Sequence, residues 1–356
     1  MKKIITIVGA RPQFVKAATL SRQFLQLGVN ERIVHTGQHF DENMSAVFFD
    51  EMEIPAPAYN LGIHSLTHGA MTGQMLEEIE KILLIEKPDG VLVYGDTNST
   101  LAGALAAAKM HIPVLHVEAG LRSFNMNMPE EINRILTDRI SSVLFCPTET
   151  AVKNLQSEGF EHFNAEIIKN GDVMQDAALF YAKKAEEKSN IIQKLDLQDF
   201  IIATIHRQEN TDTPENLQNI IFTLNEINKQ IQVVVPLHPR TRKIIENQNI
   251  KAEFKIIEPI SYFDMIMLLK SCKMVITDSG GLQKEAFFFG KHCITLRHET
   301  EWTELVENGF NILTGSSPEK IQNAFEILMN KKSDFSVDLY GNGHAAEIAA
   351  KYILEK

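Results

Sequence analysis

Three acidic side chains in the first half of the chain stand where they could exchange protons with a ligand. Asp96 follows an apolar run that ends at Tyr94, and Glu118 follows the next such run. Glu130 lies near the start of a predicted helix, and Arg134, four residues further on, shares its helical face. Crowding can raise the pKa of one carboxyl group, which supplies an acid and a base together. For each residue alone, a helix cap or a surface ion pair is the alternative.

The second half of the chain contains a segment suited to phosphate. Residues 278–281 read Asp-Ser-Gly-Gly and stand between an apolar run and a predicted helix. Backbone N–H groups and the positive end of the helix dipole favour an anion at such a turn. Glu285, further into the helix, could accept hydrogen bonds from a ribose. A tight turn with a capping serine is the alternative.

Cationic and imidazole side chains also follow predicted strands. Arg11 and Lys16 lie at the start of the helix after the first strand, and two cations there suit a diphosphate. His206 could touch the same diphosphate, and His238 and Arg297 would add polar groups to the same rim. For each of these residues, an ordinary structural contact is the alternative.

Short β-branched runs alternate with longer helical segments along the whole chain, which predicts parallel strands joined by crossover helices. A length of 356 residues predicts two domains. We therefore predict an α/β protein with two Rossmann-like doubly wound domains and an interdomain cleft. The first domain spans 1–168 with a C-terminal helix, 344–356, that packs back onto it, and the second spans 169–343. Ligands of such sheets bind beyond the carboxyl ends of the strands.

Composition narrows the function. The formal net charge of −11 argues against extended nucleic-acid binding. The three widely spaced cysteines form no metal pattern and predict buried thiols in a reducing cytoplasm. We expect no membrane segment and no metal. The sequence contains no Walker phosphate loop, dinucleotide glycine fingerprint, zinc-protease motif or nucleophile elbow.

Taken together, these residues resemble the non-hydrolysing UDP-N-acetylglucosamine 2-epimerase family, which is similar in fold to GT-B glycosyltransferases. The resemblance runs nearly from end to end. It is carried by Gly9-Ala10-Arg11-Pro12 with Lys16, Gln38-His39, Gly95-Asp96-Thr97, the segment His116 to Arg122, Pro129-Glu130-Glu131 with Asn133-Arg134, His206-Arg207, and Asp278-Ser279-Gly280-Gly281 with Gln283 and Glu285.

The resemblance implies a reaction and its residues. UDP would be eliminated across C1–C2 of an N-acetylhexosamine to give a glycal, and would add back after a proton returns to the other face of C2. The implied catalytic residues are Asp96, Glu118, Glu130, Arg134 and His206, with Arg134 orienting Glu130 or the sugar. The implied substrate-binding residues are Arg11, Lys16, His238, Ser279, Gly280, Gly281, Glu285 and Arg297. The family also implies a UDP-sugar substrate, no cofactor, a cytoplasmic location and a homodimer.

Several positions depart from the family pattern. The first loop reads Ala10-Arg11-Pro12-Gln13 where Thr-Arg-Pro-Glu is usual, and Thr67-His68 replaces an Arg-Gln pair. Gln38-His39-Phe40-Asp41 replaces a Gln-His-Arg stretch of an allosteric site, and Glu301-Trp302-Thr303-Glu304 replaces Glu-Arg-Pro-Glu. This variant resembles the branch that epimerises UDP-2,3-diacetamido-2,3-dideoxyglucuronate for surface polysaccharide. A GT-B glycosyltransferase, a hydrolysing epimerase and a nucleotide-sugar sensor are the alternatives from other classes.

Overall fold

The structure is a computed structural model that describes residues 2–38 and 54–356, without the side chain of Arg11. The family departure at positions 39–41 therefore lies outside the described residues. The chain divides into two compact units, one formed by Met1–Ala177 with Asp338–Lys356 and the other by Ala178–Val337. The sequence places the boundary nine residues earlier, at 168/169.

The first unit is built on a seven-stranded sheet. Its strands are β1 (Lys3–Val8), β2 (Asn30–His35), β3 (Tyr59–Asn60), β4 (Gly90–Tyr94), β5 (Val114–Val117), β6 (Val143–Cys146) and β7 (Glu166–Lys169). The spatial order is β3-β2-β1-β4-β5-β6-β7, and every pairing between these strands is parallel. Since the order reverses direction between β1 and β4, the carboxyl ends of these two strands form a topological switch point, the usual place for a ligand.

Helices cover this sheet because its strands are apolar on both faces. Along the chain they are α1 (Arg11–Leu27), α2 (His68–Glu86), α3 (Asn98–Lys109), α4 (Pro129–Ile140) and α5 (Glu149–Ser157), with a short 3₁₀ turn at Phe160–His162; the next helix, α6 (Val173–Lys188), begins in the first unit and continues into the second from Ala178. One core layer joins Ile5 and Ile7 of β1 to Met75 and Ile79 of α2. The stripe of apolar residues at helical spacing on α2 therefore packs as its sequence predicts.

The second unit repeats the arrangement with six strands. They are β8 (Phe200–Thr204), β9 (Gln232–Pro236), β10 (Lys255–Ile257), β11 (Met274–Thr277), β12 (His292–Thr295) and β13 (Asn311–Leu313), in the order β10-β9-β8-β11-β12-β13. All of these pairings are parallel. The switch point lies between β8 and β11. The helices are α7 (Ile191–Lys194), α8 (Gln208–Thr211), α9 (Pro214–Asn228), α10 (Pro239–Asn247), α11 (Tyr262–Ser271), α12 (Gly280–Phe288), α13 (Thr303–Glu307) and α14 (Pro318–Asn330).

The last helix, α15 (Ala345–Glu355), belongs to the first unit, where it packs against α1. Asp176 accepts hydrogen bonds from the backbone N–H groups of Ala345 and Ala346 at 3.1 and 2.7 Å, and so caps the start of α15. Gly171 has φ +92°, and a Cβ there would lie 2.5 Å from the carbonyl oxygen of Tyr340. A close backbone contact thus fixes the returning chain.

The α/β class with two parallel, helix-covered sheets is confirmed. All three cysteines are buried and form no disulfide, as the sequence predicts, and burial raises the pKa of the Cys272 thiol to about 12. Among the helices in the described part of the chain, none combines the length and hydrophobicity that crossing a bilayer needs.

Candidate active site

The switch point of the first unit joins Lys16 to Glu118. Lys16 lies one turn into α1 and forms an ion pair with Glu118, which follows β5; each side chain is 10% exposed. A Cβ on Gly95, just after β4, would lie 3.3 Å from Lys16 Nζ and 3.9 Å from Glu118 Oε2. Side chains that follow β1 and β5 therefore meet against the turn after β4, at the carboxyl ends of these strands; the sequence assigns Lys16 to a diphosphate and does not predict its pairing with Glu118.

Glu118 has a backbone conformation that residues other than glycine rarely adopt. Its φ is +71°, in the left-handed region, at a cost of roughly 1–3 kcal/mol. The N–H groups of Glu118 and Ala119 both donate to the Phe145 carbonyl of β6, at 3.1 and 3.0 Å. These bonds hold the turn that ends β5. Strain maintained by its surroundings is common where a side chain must be aimed at a ligand.

Asp96 is held as a carboxylate. Its Oδ2 accepts a hydrogen bond from Arg134 Nη2, and its side chain is 29% exposed. Burial alone would raise the pKa of Asp96, but the charges of Arg134, Lys16 and His116 together with the Arg134 hydrogen bond lower it below its usual value. Asp96 is therefore ionised at neutral pH and accessible enough to accept a proton.

Arg134 contacts Glu131 rather than Glu130, which corrects the expectation that it orients Glu130. Arg134 Nη1 donates to Glu131 Oε2 at 2.7 Å. Glu131 is fully buried and also accepts from the Ser123 hydroxyl at 3.0 Å and the Phe124 N–H at 2.9 Å. The reason is helical geometry: residues 131 and 134 lie three apart on the buried face of α4, whereas Glu130 lies on its exposed side. Glu130 remains available to a ligand.

Side chains from other elements hold the backbone that carries Asp96. The Gly95 carbonyl faces His116 Nε2 at 2.7 Å, and the Asp96 carbonyl accepts from Asn133 Nδ2 at 3.0 Å. Gly95 itself has φ +63°, which glycine adopts without steric cost. The direction of the Asp96 side chain is thus fixed by residues of β5 and α4.

Gln13, where the family usually has Glu, joins the ends of β1 and β4. Its Oε1 accepts from the N–H groups of Gly9 and Ala10 at 2.8 and 3.0 Å. Its Nε2 donates to the Tyr94 carbonyl at 2.8 Å and to Thr100 Oγ1 at 3.0 Å. A carboxylate could not donate these last two bonds. An amide at position 13 is therefore needed for the Gln13 side chain to accept two of these hydrogen bonds and donate the other two.

The switch point of the second unit is organised by Asp278, which is fully buried. It accepts hydrogen bonds from the backbone N–H groups of His206 and Arg207, both at 3.0 Å, and from Asn210 Nδ2 at 3.1 Å. Its Oδ1 also lies 3.0 Å from His206 Nδ1. Burial would raise the pKa of Asp278, but His206 and the other donors lower it. Since the His206 side chain is 51% exposed, its Nε2 edge is presented to solvent.

Ser279 caps α12. Its hydroxyl accepts from the Leu282 N–H at 3.4 Å, and its own N–H donates to Thr277 Oγ1 at 2.9 Å. Gly280 and Gly281 form the first turn of this nine-residue helix. Their N–H groups belong to the end of the helix where anions are favoured.

Arg297 does not stand at an open rim, as the sequence analysis expects, but is buried and bonded to Glu301. Arg297 Nη1 lies 2.9 Å from Glu301 Oε2. A Cβ on Gly280 would lie 2.5 Å from Glu301 Oε1. The pair therefore supports the N-terminus of α12. The physical reason is that Arg297 lies two residues after β12, the neighbour of β11, and a Cβ on Gly280 in the turn after β11 would lie 3.8 Å from Arg297 Nη1.

Three further residues complete the description of this switch point. Glu285 is 8% exposed on α12, and exposed His238 caps the start of α10, with Nδ1 accepting from the Arg240 N–H at 3.2 Å. Lys284 is buried with its Nζ 3.8 Å from the centre of the Trp302 ring, a cation–π contact. Of Arg11, only its backbone at the start of α1 is described.

Sequence reasoning missed the buried polar residues that position the others, chiefly Asp138, Glu131 and the role of Asp278. One signal was present for α4: residues 131, 134 and 138 recur at helical spacing, so charges share one face. For Asp278, the signal was an acid directly after an apolar strand. In the described part of the chain, no cluster of three or more His, Cys, Asp or Glu side chains is arranged to hold a metal ion.

Comparison with known proteins gives a consistent result. A sequence model described as UDP-N-acetylglucosamine 2-epimerase matches residues 25–354. The chain is 54% identical over 353 residues to the UDP-2,3-diacetamido-2,3-dideoxy-D-glucuronate 2-epimerase of Pseudomonas aeruginosa, covering 99% of both chains. It is 46% identical over 358 residues to a UDP-N-acetylglucosamine 2-epimerase of Methanocaldococcus jannaschii, covering 97% of both.

Solved structures agree. The structure of the Methanocaldococcus jannaschii enzyme in complex with UDP-GlcNAc and UDP matches with a TM-score of 0.92 at 44% identity, over 100% of both chains. That of the Neisseria meningitidis enzyme bound to UDP-GlcNAc matches with a TM-score of 0.88 at 30% identity, over 99% of this chain and 100% of that one.

Proposed function

Because this chain belongs to the UDP-N-acetylglucosamine 2-epimerase family, we propose that it inverts C2 of a UDP-linked 2-acetamido-2-deoxy sugar and keeps UDP on the product. The observation that carries the proposal is the cluster of charged side chains at the switch point of the first unit. There an ionised Asp96 and a strained Glu118 lie beside the cations of Arg134 and Lys16.

The C2–H bond of such a sugar is hardly acidic, so the chemistry runs through elimination. A carboxylate takes the C2 proton, the electrons form a C1–C2 double bond, and the C1–O bond breaks with its electron pair going to UDP. The reverse addition follows: a proton reaches C2 on the other face, and the UDP oxygen bonds to C1. Asp96, Glu118 and Glu130 are the proposed proton-transfer and sugar-positioning groups, since general acid–base catalysis needs a group at each face.

The departing diphosphate gains negative charge, and the switch point of the second unit offers the groups to stabilise it. The N-terminus of α12 supplies Ser279 and the N–H groups of Gly280 and Gly281. His206, held by Asp278, presents its Nε2 edge. Donors fixed before the reaction stabilise such charge without reorganising during it. Glu285 and His238 are the proposed contacts for the rest of the nucleotide.

Two substrates are candidates. UDP-N-acetylglucosamine is favoured by the family model and by the Methanocaldococcus jannaschii relative. UDP-2,3-diacetamido-2,3-dideoxy-D-glucuronate is favoured by the 54% identity to the Pseudomonas aeruginosa enzyme over nearly the whole of both chains. Thr67-His68, where the family pattern has Arg-Gln, precedes and begins α2, and His68 Nδ1 lies 3.2 Å from Asn98 Nδ2.

The deciding experiment is incubation of each UDP-sugar with the protein in deuterium oxide, followed by proton NMR. We expect deuterium at C2 of both epimers with UDP still attached, and a higher kcat/KM for one sugar than for the other. Stoichiometric accumulation of UDP would show a hydrolysing enzyme instead. Turnover only when an acceptor is added would show a glycosyltransferase.

The homodimer and the cytoplasmic location that the family implies stay predictions. Size-exclusion chromatography with light scattering would give the mass of the assembly directly, to be compared with 40.1 kDa for one chain.

A further inference from the structure

His116 has an oxygen acceptor at each of its ring nitrogens. It lies in β5 and is fully buried. Its Nε2 is 2.7 Å from the Gly95 carbonyl oxygen, and its Nδ1 is 2.8 Å from Asp138 Oδ1. A neutral imidazole has one N–H donor and one acceptor nitrogen, so it can satisfy only one such neighbour unless the other neighbour supplies a proton.

The two contacts of His116 determine which of its ring nitrogens carry protons. A backbone carbonyl never donates, so Nε2 carries a hydrogen. The Nδ1 contact then needs a proton on either His116 or Asp138. The other oxygen of Asp138 accepts from Arg122 Nη1 at 2.7 Å and from the Gly120 N–H at 3.2 Å. Two donors on one oxygen, one of them a cationic guanidinium, favour the ionised form of Asp138, so the shared proton lies on His116 Nδ1.

Opposite charges surround the pair. Asp138 on α4 and Glu158 at the end of α5 are acidic, and Glu158 Oε1 lies 2.6 Å from Arg122 Nε. With His116 cationic, the buried cations of His116 and Arg122 face these two carboxylates, and the more exposed Arg139 lies 4.0 Å from Glu158 Oε2. Asp96, after β4, is the next charged group in reach. A buried charge compensated in this way avoids the cost of an isolated ion.

We propose that His116 is an imidazolium at neutral pH and a positioning residue that fixes the Gly95 carbonyl, and through it the direction and charge of Asp96. The role of the Asp96 carboxylate in this inference rests on the proposed epimerase function. His116 does not touch the substrate in this proposal. It acts through the turn at 95–96, whose Gly95 conformation it holds, and through its positive charge.

Two consequences separate this proposal from a purely structural histidine. Burial would raise the pKa of Asp138, but the His116 and Arg122 contacts lower it, as an ionised partner requires. The charge of His116 also acts to lower the pKa of Asp96. Removing that charge should therefore raise the pKa of Asp96. Because Asp96 must be ionised to accept a proton, the acidic limb of the kcat profile should move to higher pH.

The first test is NMR of the intact protein labelled with ¹⁵N-histidine at pH 8, with the His116 signals assigned by their loss in His116→Gln. We expect two similar ring nitrogen shifts, each bonded to a proton. A separated pair, with one nitrogen lacking a proton, would overturn the proposal. This measurement needs no substrate, so it stands even if no UDP-sugar is turned over.

The second test compares kinetics of His116→Gln with those of His292→Gln. His292 is also a buried strand histidine, but it belongs to β12, where its Nε2 lies 2.8 Å from Ser333 Oγ. In His116→Gln we expect kcat to fall by up to ~100-fold, the cost of displacing a catalytic group by about 1 Å, with little change in KM. His292→Gln should keep the wild-type rate and pH profile.

A wild-type kcat and pH profile in folded His116→Gln would overturn the positioning role. If that variant does not fold by circular dichroism, Asp138→Asn replaces it. In Asp138→Asn we expect the His116 nitrogens to separate into a neutral tautomer, together with a fall in kcat. Unchanged nitrogen shifts in that variant would contradict the assignment of the proton. Absence of any wild-type turnover would instead reject the epimerase proposal.

Discussion

A single buried carboxylate of the first unit connects stability to pH. Asp138 binds His116, Arg122 and the Gly120 N–H from a fully buried position. Because these partners outweigh the effect of burial, its pKa is lower in the folded protein than in the unfolded chain. Such a group contributes stability above its unfolded pKa, near 4, and loses that contribution as pH falls through the folded value.

We predict that Asp138→Asn lowers the free energy of unfolding by roughly 3–5 kcal/mol at pH 7, the range for breaking a buried ion pair. The difference from wild type should hold down to about pH 5 and shrink as pH falls below about 4, because the aspartate takes up a proton in the unfolded chain before it does so in the folded protein. Urea titrations followed by circular dichroism at several pH values measure it.

Glu31 and Asp176 affect the pH dependence of the free energy of unfolding in the opposite direction to Asp138. Burial raises the pKa of both, but both are present in wild type and variant alike, so their effects cancel. Asp199→Asn, at an exposed surface pair with Lys273, is the matched control and should be near neutral throughout. A difference in the free energy of unfolding between Asp138→Asn and wild type that does not change with pH would refute the proposed link between the pKa of Asp138 and stability.

At the scale of elements, strand ends and helix starts could be predicted, whereas buried polar partners could not. The runs at 3–8, 90–94, 114–117 and 274–277 coincide with β1, β4, β5 and β11, because β-branched apolar residues bounded by polar ones form a strong local pattern. The position of the polar residues after these strands could then be predicted, since parallel strands of one sheet end at the same edge. This is why Asp96, Glu118 and Ser279 could be identified without a structure.

Other elements lack such a pattern. β7 reads Glu-Ile-Ile-Lys at the sheet edge, with its end residues exposed, and α10 is short and rich in charge. Both were missed because tertiary context, not local sequence, decides them. The partners of Asp138 and Asp278 come from distant segments of the chain or from backbone N–H groups, and neither leaves a mark in local spacing, whereas the spacing of Glu131 and Arg134 does not show that both are buried.

The close backbone approach at Gly171 gives a prediction with an internal control. Gly171 and Gly28 both have positive φ, +92° and +72°, but only Gly171 has an atom, the Tyr340 carbonyl oxygen, within 2.5 Å of an added Cβ. Gly28→Ala should cost about 1 kcal/mol from conformational strain alone. Gly171→Ala should cost clearly more, since the chain at 340–341 must move away.

Thermal and urea unfolding of the two variants check this, together with protease cleavage near residue 341. We expect faster cleavage only in Gly171→Ala, because the displaced segment leads into α15. Equal destabilisation by both substitutions would mean that the contact with Tyr340 does not constrain the chain.

At the scale of the whole molecule, the six strands of the second unit follow the same order as the first six of the first unit, which adds β7 at its edge, and each unit carries its polar residues at its own switch point. The repeated pattern of strands is what predicts the fold class from the sequence, and the fold class is confirmed. In the proposed function the two units have separate roles, since the first provides the carboxylates and the second provides the helix N-terminus and His206.

That division predicts how UDP stabilises each variant in scanning calorimetry. At 100 times its dissociation constant, UDP should stabilise wild type by about 2.7 kcal/mol. Asp96→Asn and Glu118→Gln should keep this stabilisation while losing turnover by about 100-fold or more, whereas His206→Asn should lose much of it.

Glu149→Gln serves as the control, since Glu149 is an exposed carboxylate that pairs with Lys169. It should retain both UDP stabilisation and rate. Wild-type turnover in Asp96→Asn or Glu118→Gln would remove that residue from the mechanism. Undiminished UDP stabilisation in His206→Asn would remove the histidine from diphosphate binding.

The burial of Trp302 beneath Lys284 has a practical consequence. The chain contains one tryptophan, and it lies in the second unit against α12. Tryptophan fluorescence excited at the red edge of its absorption therefore reports on the second unit and gives no signal from the first. An emission-monitored melt and one followed by backbone ellipticity should coincide only if the two halves unfold as a single cooperative body.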